Sequence, residues 1–275
     1  MSVWPGKECL PVPQDAASPA SRLAVSGARL ADRRAHYFMD QQIGLHGTIV
    51  SIALGVAGLA AASMFNVQAA DRPYHALLWV LWAASLMAVG VVYSGMTVSV
   101  YALPSTIPAA VDMFMPFAIG LTEFMLFAVL ATPLTAHLGP RSVAVLWFSC
   151  LCLFGCFASI IIQRVRWLFE HTDYDPPGAQ KAVGDVAALM GRDLRGASGT
   201  ALVSALGAIL IGLFRAVPLS LAYCLAGALI GGMAYGVCNQ RRQAQILETE
   251  LSRLSVVTTT GQPAPFAWFG RSPKL

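Results

Sequence analysis

The sequence predicts an all-α fold: a polytopic membrane bundle of six transmembrane helices with both termini cytoplasmic, carrying short amphipathic cytoplasmic helices. Three observations predict it. Five stretches, 41–70, 73–111, 142–163, 196–214 and 216–240, contain no Asp, Glu, Lys or Arg, and a sixth, 113–140, contains only Glu123. The chain is 56% hydrophobic and 12% charged, whereas soluble domains carry about 25% charged residues. The basic residues, finally, fall almost entirely on alternate connecting segments.

Each apolar stretch is read as a helix because the hydrocarbon core offers no water to backbone amides, so a spanning segment must satisfy them internally. About 20 apolar residues cover the ~30 Å core. The expected spans are 43–65, 77–102, 108–132, 142–165, 198–214 and 218–238, with a loop at 166–197. An N-terminal segment, 1–42, and a C-terminal segment, 239–275, flank them. Pro104 and Pro108 separate the second span from the third, and Pro133 and Gly139-Pro140 the third from the fourth. Proline removes a helix donor and clashes with the preceding turn, so these are stopping points. The fifth and sixth spans are joined by a tight hairpin around Arg215 and Pro218.

Orientation follows from charge. With the N-terminus inside, Lys7, Arg22, Arg164, Lys181, Arg192, Arg241 and nine further Lys or Arg residues are cytoplasmic, and only Arg72, Arg141 and Arg215 are external. That bias requires an even number of spans. The N-terminus is polar for about forty residues, unlike a cleavable signal. A bacterial inner membrane is the expected location. The surplus positive charge is read as meeting anionic lipid headgroups rather than nucleic acid.

Three cytoplasmic pieces have helical character. Residues 20–40 place Leu23 and Leu30 beside a strip of Arg22, Arg29 and Arg33, and 179–195 align Val183, Val186, Met190 and Leu194. Both read as helices lying on the headgroups. Residues 239–257 extend the sixth span, with Leu247, Leu251 and Leu254 at coiled-coil spacing. Either a solvated extension or a short oligomerising coil fits.

The third span holds the candidate chemistry. Asp112 and Glu123 lie eleven residues apart, about three turns, so they share a face ~16 Å apart along the axis. Ionisable groups at membrane depth cost roughly 2.5–3.5 kcal/mol and usually face a bundle interior or water. Pro116 and Gly120 lie between them. Depth matching sets His46, one turn after Gln42, near Asp112, and places the stripe Tyr93, Thr97 and Tyr101 on the second span beside it. Tyr223 on the sixth span is expected at the depth of Glu123. Two readings follow. In one, a channel- or transporter-like bundle passes an ion, a proton or a small polar solute along these residues. In the other, the carboxylates fix packing, or contact partners of an accessory or scaffold subunit in a larger complex.

Small residues mark close approach. Gly44, Thr48, Ser51, Gly55, Gly58 and Ala62 line the first span, and Gly227 and Gly231 the sixth. Such faces drive helix association where lipid removes the hydrophobic effect, within the chain or in a homo-oligomer.

No cofactor or metal is implied. Cys152 and Cys156 share a face without carboxylate or imidazole neighbours, and read as packing residues. Glu170-His171-Thr172-Asp173-Tyr174-Asp175 runs into Pro176-Pro177 and reads as a solvated turn. Gly196-Ala197-Ser198-Gly199 resembles the Gly-x-Ser-Gly of rhomboid intramembrane proteases, whose serine is a nucleophile, and Gly227 and Gly231 resemble the glycine run after the rhomboid histidine. Cys224 stands three residues before Gly227, and no span after Ser198 contains histidine. Without a base the serine is not activated, and the chain is not read as an enzyme.

Overall fold

The computed structural model describes residues 44–65, 72–102, 110–131, 138–170, 177–214, 216 and 218–257, and these form six helices. They are α1 (Gly44–Phe65), α2 (Arg72–Ala102), α3 (Ala110–Ala128), α4 (Pro140–Glu170), α5 (Pro177–Leu213) and α6 (Ser220–Val257). Five contain a segment long and apolar enough to cross a membrane; α3 has a shorter apolar stretch, Phe114–Ala128. The expected helix at 20–40, Gln42, the turn at 171–176 and the tail from 259 lie outside the described residues.

Neighbouring helices share one register. Ile49 of α1 abuts Gly120 of α3, and Trp82 of α2 donates its indole N–H to the Ala57 carbonyl of α1 at 2.9 Å. Ser94 of α2 bonds Gln240 of α6. Because Tyr223 of α6 also meets the backbone of Leu77, helices α2 and α6 run parallel, and Arg164, Arg166, Lys181, Arg192, Arg241 and Arg242 gather at one end of the bundle, the basic end.

The main core lies towards the opposite end. Leu77, Leu78 and Leu81 of α2 pack with Leu126 of α3, Leu130 of the turn after it and Trp147, Phe148 and Leu151 of α4, all fully enclosed. The buried Trp147 indole donates to Ser85 Oγ at 2.9 Å, and Ser85 donates to the Leu81 carbonyl. The Trp147 indole and the Ser85 hydroxyl thus satisfy each other inside the core, as low-dielectric burial favours.

Helix α5 departs from the sequence expectation. The loop at 166–197 and the short amphipathic helix at 179–195 are not separate elements: α4 continues to Glu170, and α5 runs unbroken from Pro177 through Gly196 and Gly199 to Leu213. Glycine inside a helix costs only about 1 kcal/mol, and packing along both halves offsets it. Proline at the first position suits its missing N–H. Val183, Val186 and Met190 do not rest on headgroups; they form a second core at the basic end with Val165 of α4 and Leu247 of α6. Leu247 is thereby taken up within the chain, and α6 is neither a bare solvated extension nor held open at this leucine for a second copy. At 37 and 38 residues, α5 and α6 are each ~55 Å long, well beyond the ~30 Å hydrocarbon core.

The small-residue faces named from sequence are likewise not the ones that meet other helices here. Among the described residues, Gly44, Gly55, Gly58, Gly227 and Gly231 have no neighbouring atom where a Cβ would stand. Thr48 and Ser51 turn back to the Gly44 and Gly47 carbonyls of their own helix. Helix α1 instead buries Ala53, Ala57, Ala60 and Met64. Those side chains are small enough for approach yet still bring apolar area to α2 and α3. Helix α4 meets the backbone of α5 at Gly155: a Cβ there would stand 2.8 Å from the Ala201 backbone nitrogen and 3.0 Å from the Ala197 carbonyl oxygen.

Arg141 ties the α5 end down. Its Nη1 donates to the Ile211 and Phe214 carbonyls at 2.9 and 2.8 Å, groups that a helix terminus leaves without an intrahelical partner. Arg141→Met keeps the aliphatic stem and removes the donors, so it is expected to lower stability by about 1–2 kcal/mol. Thermal unfolding of the detergent-solubilised chain measures this, and an unchanged Tm would show that the bonds contribute nothing.

Candidate functional site

Glu123 is fully buried at 0% exposure, and neither carboxyl oxygen has a hydrogen-bond partner among the described residues. Three features of α3 put it there. Gly120, one turn earlier, has no side chain and admits Ile49 of α1, so the two helices close over the position. Pro116, inside the helix, supplies no N–H to the Asp112 carbonyl one turn back. Ile119, Leu126 and Phe127, on neighbouring positions of the helix, are buried. An ionised carboxylate held in that setting without a partner is very costly; the group is stable there as the neutral acid or against a cation.

His46 is also enclosed, at 4% exposure, and both ring nitrogens lack partners among the described residues. Its ring stacks on Tyr93 with centroids 5.6 Å apart and planes 16° from parallel. Because Ile49 sits opposite Gly120, His46 and Glu123 are offset by about six residues, or ~9 Å along the bundle, with His46 nearer the basic end. The structure thus brings His46 and Tyr93 together, with Glu123 separate from the pair along the bundle. Asp112, Thr97 and Tyr101 belong to helical segments whose side chains lie outside the described residues.

Tyr223 is not at Glu123's depth. Its hydroxyl meets the backbone of Leu77, whereas the Ala57–Trp82 and His46–Tyr93 contacts place α2 near Met87 beside Glu123. The ten-residue difference is ~15 Å. The sequence-based depth differs because helices of 31 and 38 residues run past the apolar stretches whose ends were counted, so the count misplaces the register.

The sequence reading missed a polar cluster nearer the basic end. Asp193 of α5 accepts hydrogen bonds from Asn239 Nδ2 and Gln243 Nε2 of α6, each at 2.6 Å, and Asn239 Nδ2 also reaches the Leu189 carbonyl at 3.1 Å. Gln240, adjacent, accepts from Ser94 of α2. Asp193, Gln240 and Gln243 line a cavity of about 150 Å³, with Arg192, Thr200 and Tyr235 also on its lining and apolar side chains of α2, α4, α5 and α6 making most of the rest. Its α3 wall is Ile119, one turn from Glu123. The legible signal was Asn239-Gln240 and Gln243 on one face at the end of an apolar run; nothing local announced their partner on α5.

Ser198, the serine of the protease-like tetrad, lies 3.2 Å from Ser159 Oγ, an interhelical contact between α4 and α5. No group of three or more His, Cys, Asp or Glu side chains suited to a metal occurs among the described residues. The chain matches no protein-family model, no curated protein and no solved structure.

Proposed function

We propose that the chain is a multi-pass protein of the cell membrane, its basic end cytoplasmic, that conducts a proton, a cation or a small polar solute past Glu123. The observation that carries this reading is the enclosed Glu123 carboxyl without a partner, one turn from a side chain that lines the cavity. A packing residue gains nothing from such a cost, whereas a group that alternately binds and releases a cation needs an interior with no competing donor. His46, offset ~9 Å along the bundle, supplies a second exchangeable site. Beyond Glu123 the enclosed side chains of Trp147, Phe148, Leu126 and Leu130 seal the other end, as one state of an alternating-access cycle requires.

The chain in sealed liposomes is expected to release an imposed proton or cation gradient, and Glu123→Gln to slow that release about tenfold or more, the factor that follows from 1.4 kcal/mol of lost cation affinity. Equal rates for wild type and Glu123→Gln would refute the route. A second reading, an accessory subunit in a larger membrane complex or homo-oligomer, is favoured by the outward glycines of α1 and α6. It predicts no flux from the purified chain and co-extraction of other membrane proteins. Neither reading involves enzyme chemistry or a cofactor.

A further inference from the structure

Asp193 is the one acidic side chain lining the cavity among the described residues. Two neutral carboxamides hold its oxygens at 2.6 Å. Amides orient a carboxylate without cancelling its charge, and each oxygen keeps a lone pair for another donor. Among the described residues no Lys or Arg forms an ion pair with Asp193; Arg192 beside it is exposed at the cavity's edge. Apart from Thr200, Tyr235, Gln240 and Gln243, the remaining walls are apolar, with Val92, Ile119, Phe154 and Met233 among them.

Size and access narrow the occupant. A cavity needs about 10–15 Å³ of this measure to hold one water, so 150 Å³ is far more than a bare ion fills and suits a small organic molecule. The exposed lining residues Arg192, Gly196, Gly232 and Tyr235 all stand on α5 or α6. The mouth therefore lies between these two helices, on a lateral surface of the bundle. A ligand with a cationic head and an apolar body matches both the walls and that approach.

We propose that this cavity binds a protonated alkyl amine, its ammonium on Asp193 and its chain along the apolar walls towards Ile119. The inference rests on the transport reading for its purpose, since it assigns a ligand class to the cavity beside Glu123, but binding itself requires no flux.

The test is calorimetric titration of the full chain, in an uncharged detergent at neutral pH, with n-hexylamine, n-hexanol and hexanoate. Saturable binding of the amine is expected, with the alcohol at least about tenfold weaker and the carboxylate silent. Asp193→Asn preserves the shape and one acceptor, and is expected to weaken amine binding about tenfold or more. Ala158→Leu fills the cavity from α4 without touching the cluster, and is expected to abolish saturable binding. Equal binding of amine and alcohol, or wild-type amine affinity in a folded Asp193→Asn chain, overturns the proposal. Should Asp193→Asn not fold, undiminished binding by Ala158→Leu overturns it. Loss of the transport reading, seen as Glu123→Gln with wild-type flux, leaves these equilibrium measurements intact, so the two failures are distinguishable.

Discussion

Gly155→Leu is expected to prevent recovery of a monodisperse folded chain. Helix α5 presents its backbone, not a side chain, to Gly155: the Ala201 nitrogen and the Ala197 carbonyl stand 2.8 and 3.0 Å from the position of the first added carbon. Backbone in a hydrogen-bonded helix cannot swing aside as a side-chain tip does, so α4 and α5 must separate. Separation would reach Ser159 and Ser198, 3.2 Å apart one turn along. It would also disturb the packing of Phe148 on Gly207 further along. Overpacking ordinarily costs about 1–3 kcal/mol, and obstruction by backbone lies at or above the top of that range. Gly155→Ala is expected to lower stability by a smaller amount in the same direction, despite alanine's ~1 kcal/mol advantage in helix propensity.

The contrast with Gly227 makes the prediction specific. That glycine is also helical and stands among small residues, yet an added Cβ meets no atom of the described residues. Gly227→Ala should be neutral or raise stability by up to about 1 kcal/mol. Thermal unfolding of the three proteins in one detergent checks the order. A Gly155→Leu chain as stable as wild type would mean that α4 and α5 do not cross where the structure places them.

That pair also shows what the sequence could and could not disclose. Uncharged runs and prolines were sufficient to place six helices, because both act locally on the chain. Glu123 stood out for the same reason: a carboxylate in an apolar run is anomalous wherever its neighbours are. Which glycine meets a backbone is decided by two helices together, and small residues occur on α1, α4, α5 and α6 alike. Helix α1 presents two faces of small residues, and the one used, through Ala53, Ala57 and Ala60, differs from the glycine face mainly by a few methyl groups. The Asp193 cluster was hidden by distance, its hydrogen-bonded partners standing 46 and 50 residues away. Gly196 suggested a break in α5 that propensity alone would allow; burial of Val186 and Met190 on one side of it and Ile211 on the other keeps the helix continuous.

Glu123→Leu is expected to make the protein more stable and to stop transport. Leucine is close to glutamate in length and occupies a site already enclosed by apolar neighbours. Glu123 contributes two buried oxygens with no hydrogen-bond partner among the described residues, and a buried polar group in that condition costs about 1–3 kcal/mol on mutational scales. Removing it should recover an amount of that order, a rise of a few degrees in Tm for a chain of this size. Glu123→Gln keeps the polar burden and gives up only the ability to ionise, so it should stay near wild-type stability while slowing flux. The two substitutions therefore separate roles that flux alone would confuse. A carboxyl that fixes packing by bonding a neighbouring helix would be missed on removal, and Glu123→Leu would then lower Tm by a similar margin. Higher Tm with flux abolished is the signature of a residue kept for what it binds; lower Tm with flux unchanged would make Glu123 a packing residue and end the case for a route past it.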